Sequence, residues 1–457
     1  MVLRKVNLIS LLWMISIILL PLTFLLQVLM QSASPALLPY IVLSLIVVLS
    51  LISVRKIILK DCSKIRKNNI DVWVCLYVMI VFFHSVCGTL FFIISPIQAL
   101  SSIVIFFFPV LFYYFFSGRV SESDLQFTLY GIAVAGLIVG GHFCYDTYVK
   151  MTLGQISEFS QKAFDYSMAR SNLSEHDANL SRITVGYRSH GMLDSHSASG
   201  AWIVLGFIAA LSVLPWQRRV LRRVVMFTYG LMILISMNFT NIISFFIIQF
   251  FVFSDGITFL KDRILWLFSQ GFLMMILFPI IIVILAQQTG SDSVLDYMYD
   301  AVFTQLGLIF NTDSEEINFL TLTKKNLNVY WQHLGIMPFS LILGDGFSSN
   351  GMAKGGDIGW IESLATFGFP VFSLIILGLI RLIFLGLKTI KSSSKSIKCS
   401  SDENRIRLLQ FSVAIIMLIL INEGHYSVWT AKSILPIFFI ALAIFRTFLQ
   451  KTRIANN

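Results

Sequence analysis

Charge is scarce in this chain of 457 residues. Asp, Glu, Lys and Arg together make up 13% of it, about half the ~25% usual in a soluble globular domain, and that deficit excludes a water-soluble fold. Cysteine is scarce as well. Of the five, Cys75, Cys87 and Cys144 fall in apolar runs, while Cys62 and Cys399 fall in segments that the charge pattern assigns to the cytoplasm, so no disulfide framework is available outside. A P-loop, a cluster of His and Cys ligands and a G-x-S-x-G elbow are all missing, which leaves cytosolic ATP-driven chemistry without support. Also missing is the period-two alternation over about ten residues that marks a barrel strand. Stretches such as Leu8 to Met30 and Leu37 to Leu59 are instead apolar on all sides.

What is present is hydrophobic mass, 56% of the residues at a mean hydropathy of +0.81. A hydrocarbon core of roughly 30 Å needs about 20 apolar residues per helix. The apolar runs predict an all-α, polytopic integral membrane protein, with 1–457 forming a single transmembrane domain of about 12 spans. They lie near 8–30, 36–59, 72–94, 97–117, 127–148, 198–214, 224–238, 241–254, 264–287, 358–387, 408–421 and 428–446. An even number puts both termini on one side. With the amino terminus cytoplasmic, 25 of the 34 basic residues fall inside and 16 of the 24 acids fall outside, as the positive-inside rule requires. The net charge of +10 is thereby explained by topology, and a nucleic-acid partner gains no support. The opening Met1-Val-Leu-Arg-Lys-Val has the charge of a signal-peptide start, but its apolar stretch outruns the usual h-region, and it reads as an uncleaved first span.

Two long polar segments, 149–197 and 287–356, interrupt the spans on the non-cytoplasmic side. Loops of this length are uncommon unless functional or disordered. A third, 388–407, reads as a flexible basic linker facing anionic headgroups. In the first loop, Tyr187-Arg188-Ser-His190-Gly191-Met-Leu-Asp194-Ser-His196 packs a cation, two imidazoles and a carboxylate at a helix mouth, with Arg182 just upstream. Ionisable groups at that depth usually line a polar cavity, although Arg188 and the histidines can also serve as headgroup contacts. The second loop holds Gly344-Asp345-Gly346 and then Asp357, Gly359 and Glu362 at the start of a long apolar run. Asp357 is a candidate base or simply a helix cap. Lys324 and Lys325 stand near Tyr330, Trp331 and His333, a basic pair beside aromatics suited to sugar rings. Glu175-His176-Asp177 reads as a solvated acidic loop.

With these residues in view, the chain resembles the O-antigen polymerase and O-antigen ligase superfamily of lipid-linked polysaccharide enzymes. Arg188 and Gly191 match the R-x-x-G that ends the family's first loop, while His196-Ser197 replaces its usual Pro-Asn pair. Asn238-Phe-Thr-Asn241 occupies the place of its Ser-Arg turn without an arginine. Gly344, Gly346, Asp357 and Gly368 reproduce its second-loop spacing, and an aspartate at 357, where ligases carry histidine, tilts the likeness toward polymerases. The resemblance implies a glycosyltransferase of the bacterial inner membrane with a periplasmic active face. Its partners would be an undecaprenyl-diphosphate-linked oligosaccharide, membrane lipids, a chain-length regulator and a flippase. It implies Asp357 as base with His196 and Glu362 as substitutes, and Arg188 as the cation on the departing diphosphate. Arg182, His190, Lys324, Lys325, Trp331, Gly344 and Gly346 would then bind substrate, with no cofactor and no obligatory metal. A ligase acting on a lipid A core and a lipid-linked oligosaccharide flippase or transporter are the competing readings.

Overall fold

The structure is a computed structural model that describes residues 11, 14–15, 17–22, 69–90, 96–118, 122–153, 157–162, 191–193, 196–236, 238–254, 264–265, 319–336, 338–344, 359–394, 400–424 and 433–455. Among them every regular element is helical and no strand occurs. Three helices are long and apolar enough to cross a membrane, within Leu125–Val149, Phe369–Ser393 and Asp402–Asn422. The expected spans 36–59 and 264–287 lie outside the described residues, apart from Ile264 and Leu265. The chain divides into two compact units, each drawn from separated stretches of sequence.

The first unit comprises Met1–Ser44 and Ser123–Asp313. Its helices are α3 (Glu122–Leu153), α4 (His196–Val213), α5 (Arg219–Ile235) and α6 (Phe239–Phe251). α4 is apolar all round and buried along its length, from Ala198 through Trp202 and Phe207 to Leu211, as expected of a helix surrounded by others. Small residues let its neighbours approach. A Cβ added at Gly136 of α3 would meet the backbone of Gly206 and Trp202 in α4, and one at Gly140, four residues on, would meet Met232 of α5. Gly136 thus brings the α3 and α4 backbones together and Gly140 makes room for the Met232 side chain, as small residues do where lipid supplies no hydrophobic drive. Tyr229 of α5 fastens the other side, donating its hydroxyl to the Ala133 carbonyl at 2.7 Å. Arg222 turns back to donate to the carbonyls of Leu211 and Leu214, both at 2.9 Å, which satisfies the open end of α4 with a cation where the helix dipole favours one.

The second unit comprises Leu45–Glu122 and Ser314–Asn457. It holds α1 (Asn69–Leu90), α2 (Pro96–Gly118), α7 (Phe319–Ile336), α8 (Ser340–Leu343), α9 (Gly359–Phe367), α10 (Phe369–Ser394), α11 (Ser400–Asn422) and α12 (Leu435–Ala455). α2 and α12 pack together, as do α10 and α11. Asp71 at the start of α1 receives the fork of Arg446 from α12, at 2.6 Å and 3.0 Å, and the hydroxyl of Tyr113 from α2 at 2.6 Å. Three helices are thus tied by one largely buried carboxylate. α10 leaves Leu374, Leu377 and Phe384 exposed, an apolar face with the character of lipid-contacting surface.

Three features differ from the sequence reading, the first being the helix α7 inside the polar segment 287–356. The single span expected at 358–387 is interrupted, because Gly368 adopts φ +74° and separates α9 from α10. The run stays apolar at Phe367, Phe369 and Val371, so hydropathy carried no sign of the break, although Gly368 and Pro370 between them are residues that punctuate helices. The basic segment 388–407 is helical over most of its length, with α10 running on to Ser394 and α11 opening at Ser400.

Candidate functional site

In the second unit, the residues that bear on function gather around α9. This helix has only nine residues, too few to hold itself, and tertiary contacts hold it. Tyr330 and Leu334, one turn apart on α7, pack against Ile361 and Ala365, one turn apart on α9, with Leu327, Trp360 and Leu364 around them. At its far end, Gly344 and Gly368 lie backbone to backbone with φ of +71° and +74°. A Cβ at Gly344 would sit 2.6 Å from the Gly368 nitrogen, and one at Gly368 would sit 2.8 Å from the Gly344 nitrogen, closer than real side chains come. Glycine is required twice over, for the left-handed backbone and for the approach. His84 of α1 adds a tie by donating from Nε2 to the Leu343 carbonyl at 2.6 Å. The 14 positions between Gly344 and Gly359, Asp357 among them, are therefore flanked by two anchored ends.

Glu362 lies in the first turn of α9 and is half-buried. Its neighbour Ser363 is 1% exposed and donates its hydroxyl to Glu423 Oε2 at 2.6 Å. On α7, Lys324 and Trp331 are both exposed, Trp331 by 62%. Seven residues apart, they share one face of the helix. Tyr330, grouped with the sugar-stacking aromatics in the sequence, is instead core at 3% exposure.

In the first unit, polar groups collect where α4 begins. His196 opens α4. The Ser197 hydroxyl accepts from Asn238 Nδ2 at 2.9 Å, and the Ser197 carbonyl accepts from Asn241 Nδ2 at 3.2 Å. Asn238 also caps α6 by accepting from the Asn241 backbone N–H at 3.1 Å. Gly200 leaves the space that the Asn241 amide fills. No family model and no curated protein matches this chain. The turn Asn238–Asn241 is therefore best understood from its own contacts, in which Asn238 caps α6 and both side-chain amides dock α6 to α4. Gly191, the last residue of R-x-x-G, has φ +67° and lies against Phe143 and Ser199, and its carbonyl accepts from Ser160 at 3.3 Å. Nearby, the buried Asp146 accepts from the Ser157 backbone N–H at 3.3 Å. On the same short stretch Lys162 bonds Glu158 at 2.6 Å and holds that exposed carboxyl below its usual range.

Arg182, Arg188, His190, Gly346 and Asp357 lie outside the described residues. Of the remaining candidates, Gly344, Glu362, Lys324, Lys325 and Trp331 belong to the second unit and His196 to the first. Among the described residues no three His, Cys, Asp or Glu side chains gather as a metal ion would need. Among the described residues, buried acids and imidazoles outside the candidate set include His84, Asp146, Glu403 and Glu423. For His84 the available signal was an ionisable residue within an apolar run, which marks a functional candidate in a membrane helix, whereas Glu423 stands in the short polar stretch 422–427.

Proposed function

We propose that the chain is a polysaccharide polymerase of a bacterial inner membrane, with about 12 spans, both termini cytoplasmic and its active face periplasmic. It transfers a growing glycan from undecaprenyl diphosphate to the non-reducing-end hydroxyl of another lipid-linked repeat unit. A base takes the proton of that hydroxyl, the oxygen bonds to the anomeric carbon, and the bond to the diphosphate breaks with its electron pair leaving on phosphate oxygen. Asp357 is the base, because a hydroxyl is a poor nucleophile until deprotonated, with Glu362 and His196 as substitutes. Arg188, supported by Arg182, Lys324 and Lys325, receives the developing charge, where a guanidinium fork suits phosphate oxygens. His190, Trp331, Gly344 and Gly346 contact the sugar and its carrier.

The observation that carries this reading is the backbone contact of Gly344 with Gly368. These two glycines were singled out by their spacing around Asp357, and they meet in space with φ values that other residues rarely adopt. Fixed residues before and after Asp357 in the sequence, Gly344 and α9, support a base at that position. One observation favours a second reading. The break between α9 and α10 is of the kind that transporters place at their binding sites, which suits a flippase for the same lipid-linked glycan. Deleting the gene and resolving the surface polysaccharide by size tests all three readings. A single repeat unit on the core supports the polymerase, bare core with polymer left on its carrier supports a ligase, and lipid-linked repeats trapped on the cytoplasmic face support a flippase.

A further inference from the structure

Glu423 follows α11 directly and is 3% exposed. Its bond to Ser363 spans 60 positions of sequence and has the short length of a hydroxyl donating to a charged oxygen. The apolar contacts of α9 with α7 fix how deeply the short helix sits and which face turns inward, but such contacts are non-directional and leave the finer rotation about its axis to polar contacts. A hydrogen bond is directional. Glu362 and Ser363 are consecutive, about 100° apart around the helix, so orienting Ser363 orients Glu362.

We infer that Glu423 is a positioning residue for this site, acting through Ser363 to set the fine rotation of α9 and with it the direction of the Glu362 carboxylate. The inference rests on the glycosyl-transfer reading and deepens it. A misplacement of about 1 Å costs on the order of 10²-fold in turnover. Purified protein given synthetic lipid-linked repeat units is the assay, with kcat and KM measured on equal amounts of folded protein. Ser363→Ala, a small change that removes only the donor, lowers kcat by about 10²-fold and leaves KM within about twofold. Glu423→Gln keeps an oxygen that accepts the Ser363 hydrogen bond and retains most of the rate, whereas Glu423→Ala matches Ser363→Ala. Because the two residues act as one, the double alanine variant is no slower than either single. Should Glu423→Ala fail to fold, Ser363→Ala and Glu423→Gln decide the matter. Normal turnover by Ser363→Ala, or a Glu423→Gln as slow as Ser363→Ala, overturns the inference while the wild type still polymerises. A wild type that forms no polymer overturns the reaction reading, and the inference with it.

Discussion

Asp357 stands two residues before α9 and Glu362 in its first turn, positions at which an acid serves either chemistry or the helix itself. The alternatives separate by substitution. Asn caps a helix about as well as Asp, so a capping role predicts that Asp357→Asn is nearly silent. Base catalysis predicts a loss of about 10²–10⁴-fold in turnover. Rates of polymer formation by Asp357→Asn and Glu362→Gln assign the base, and an inactive Glu362→Gln beside an active Asp357→Asn would move it to Glu362. Arg188 makes a second forecast, since a lysine point charge does not reproduce a bidentate phosphate contact. Arg188→Ala abolishes polymer and Arg188→Lys retains little, at unchanged protein abundance, while long-chain polysaccharide from Arg188→Ala would remove it from the mechanism. At this scale the glycines were legible, because φ above zero leaves few residue types to choose from and their spacing could be read directly. The Ser363–Glu423 bond was not, since nothing local marks a partner 60 positions away. Tyr330 misled for a related reason, as its face of α7 is decided by Ile361 and Ala365.

The helices themselves follow from apolar runs, and those at 69–90, 96–118 and 400–422 agree with the expected spans near 72–94, 97–117 and 408–421 within a turn or three. What hydropathy could not express is how one helix meets another. Gly136 and Gly141 look alike in sequence, yet a Cβ at Gly136 would press on the backbone of α4 whereas one at Gly141 meets nothing within 4 Å. Gly136→Ala is therefore expected to destabilise the first unit by about 1–3 kcal/mol, the usual cost of overpacking. Gly141→Ala is expected to be neutral or to stabilise by about 0.5–1 kcal/mol through helix propensity. Melting of the two variants in detergent checks this, and equal melting temperatures would contradict the close approach of α3 and α4. The break at Gly368 escaped because the reading followed hydropathy, whereas its local mark is Gly368 before Pro370; the facing backbone at Gly344 could not be read from either element alone. α7 escaped because its exposed face, with Lys324, Asn328 and Trp331, dilutes the apolar signal of Leu327, Tyr330 and Leu334.

Over the whole molecule, the asymmetry of charge forecasts which face is which. Reporter fusions after Lys162 and Lys391 are expected outside and inside respectively, and the same side for both would refute the arrangement of spans. Each compact unit is assembled from two separated stretches of chain, so a linear division by sequence could not have revealed them. The activity proposed for the protein is the formation of glycosidic bonds between lipid-linked repeat units. Purified protein in detergent, mixed with a synthetic undecaprenyl-diphosphate repeat unit and no nucleotide, tests it most directly. The polymerase reading predicts a ladder of lengthening glycans with release of undecaprenyl diphosphate, lost in Arg188→Ala. Repeat units returned unchanged by folded wild-type protein, with no diphosphate released, would contradict it.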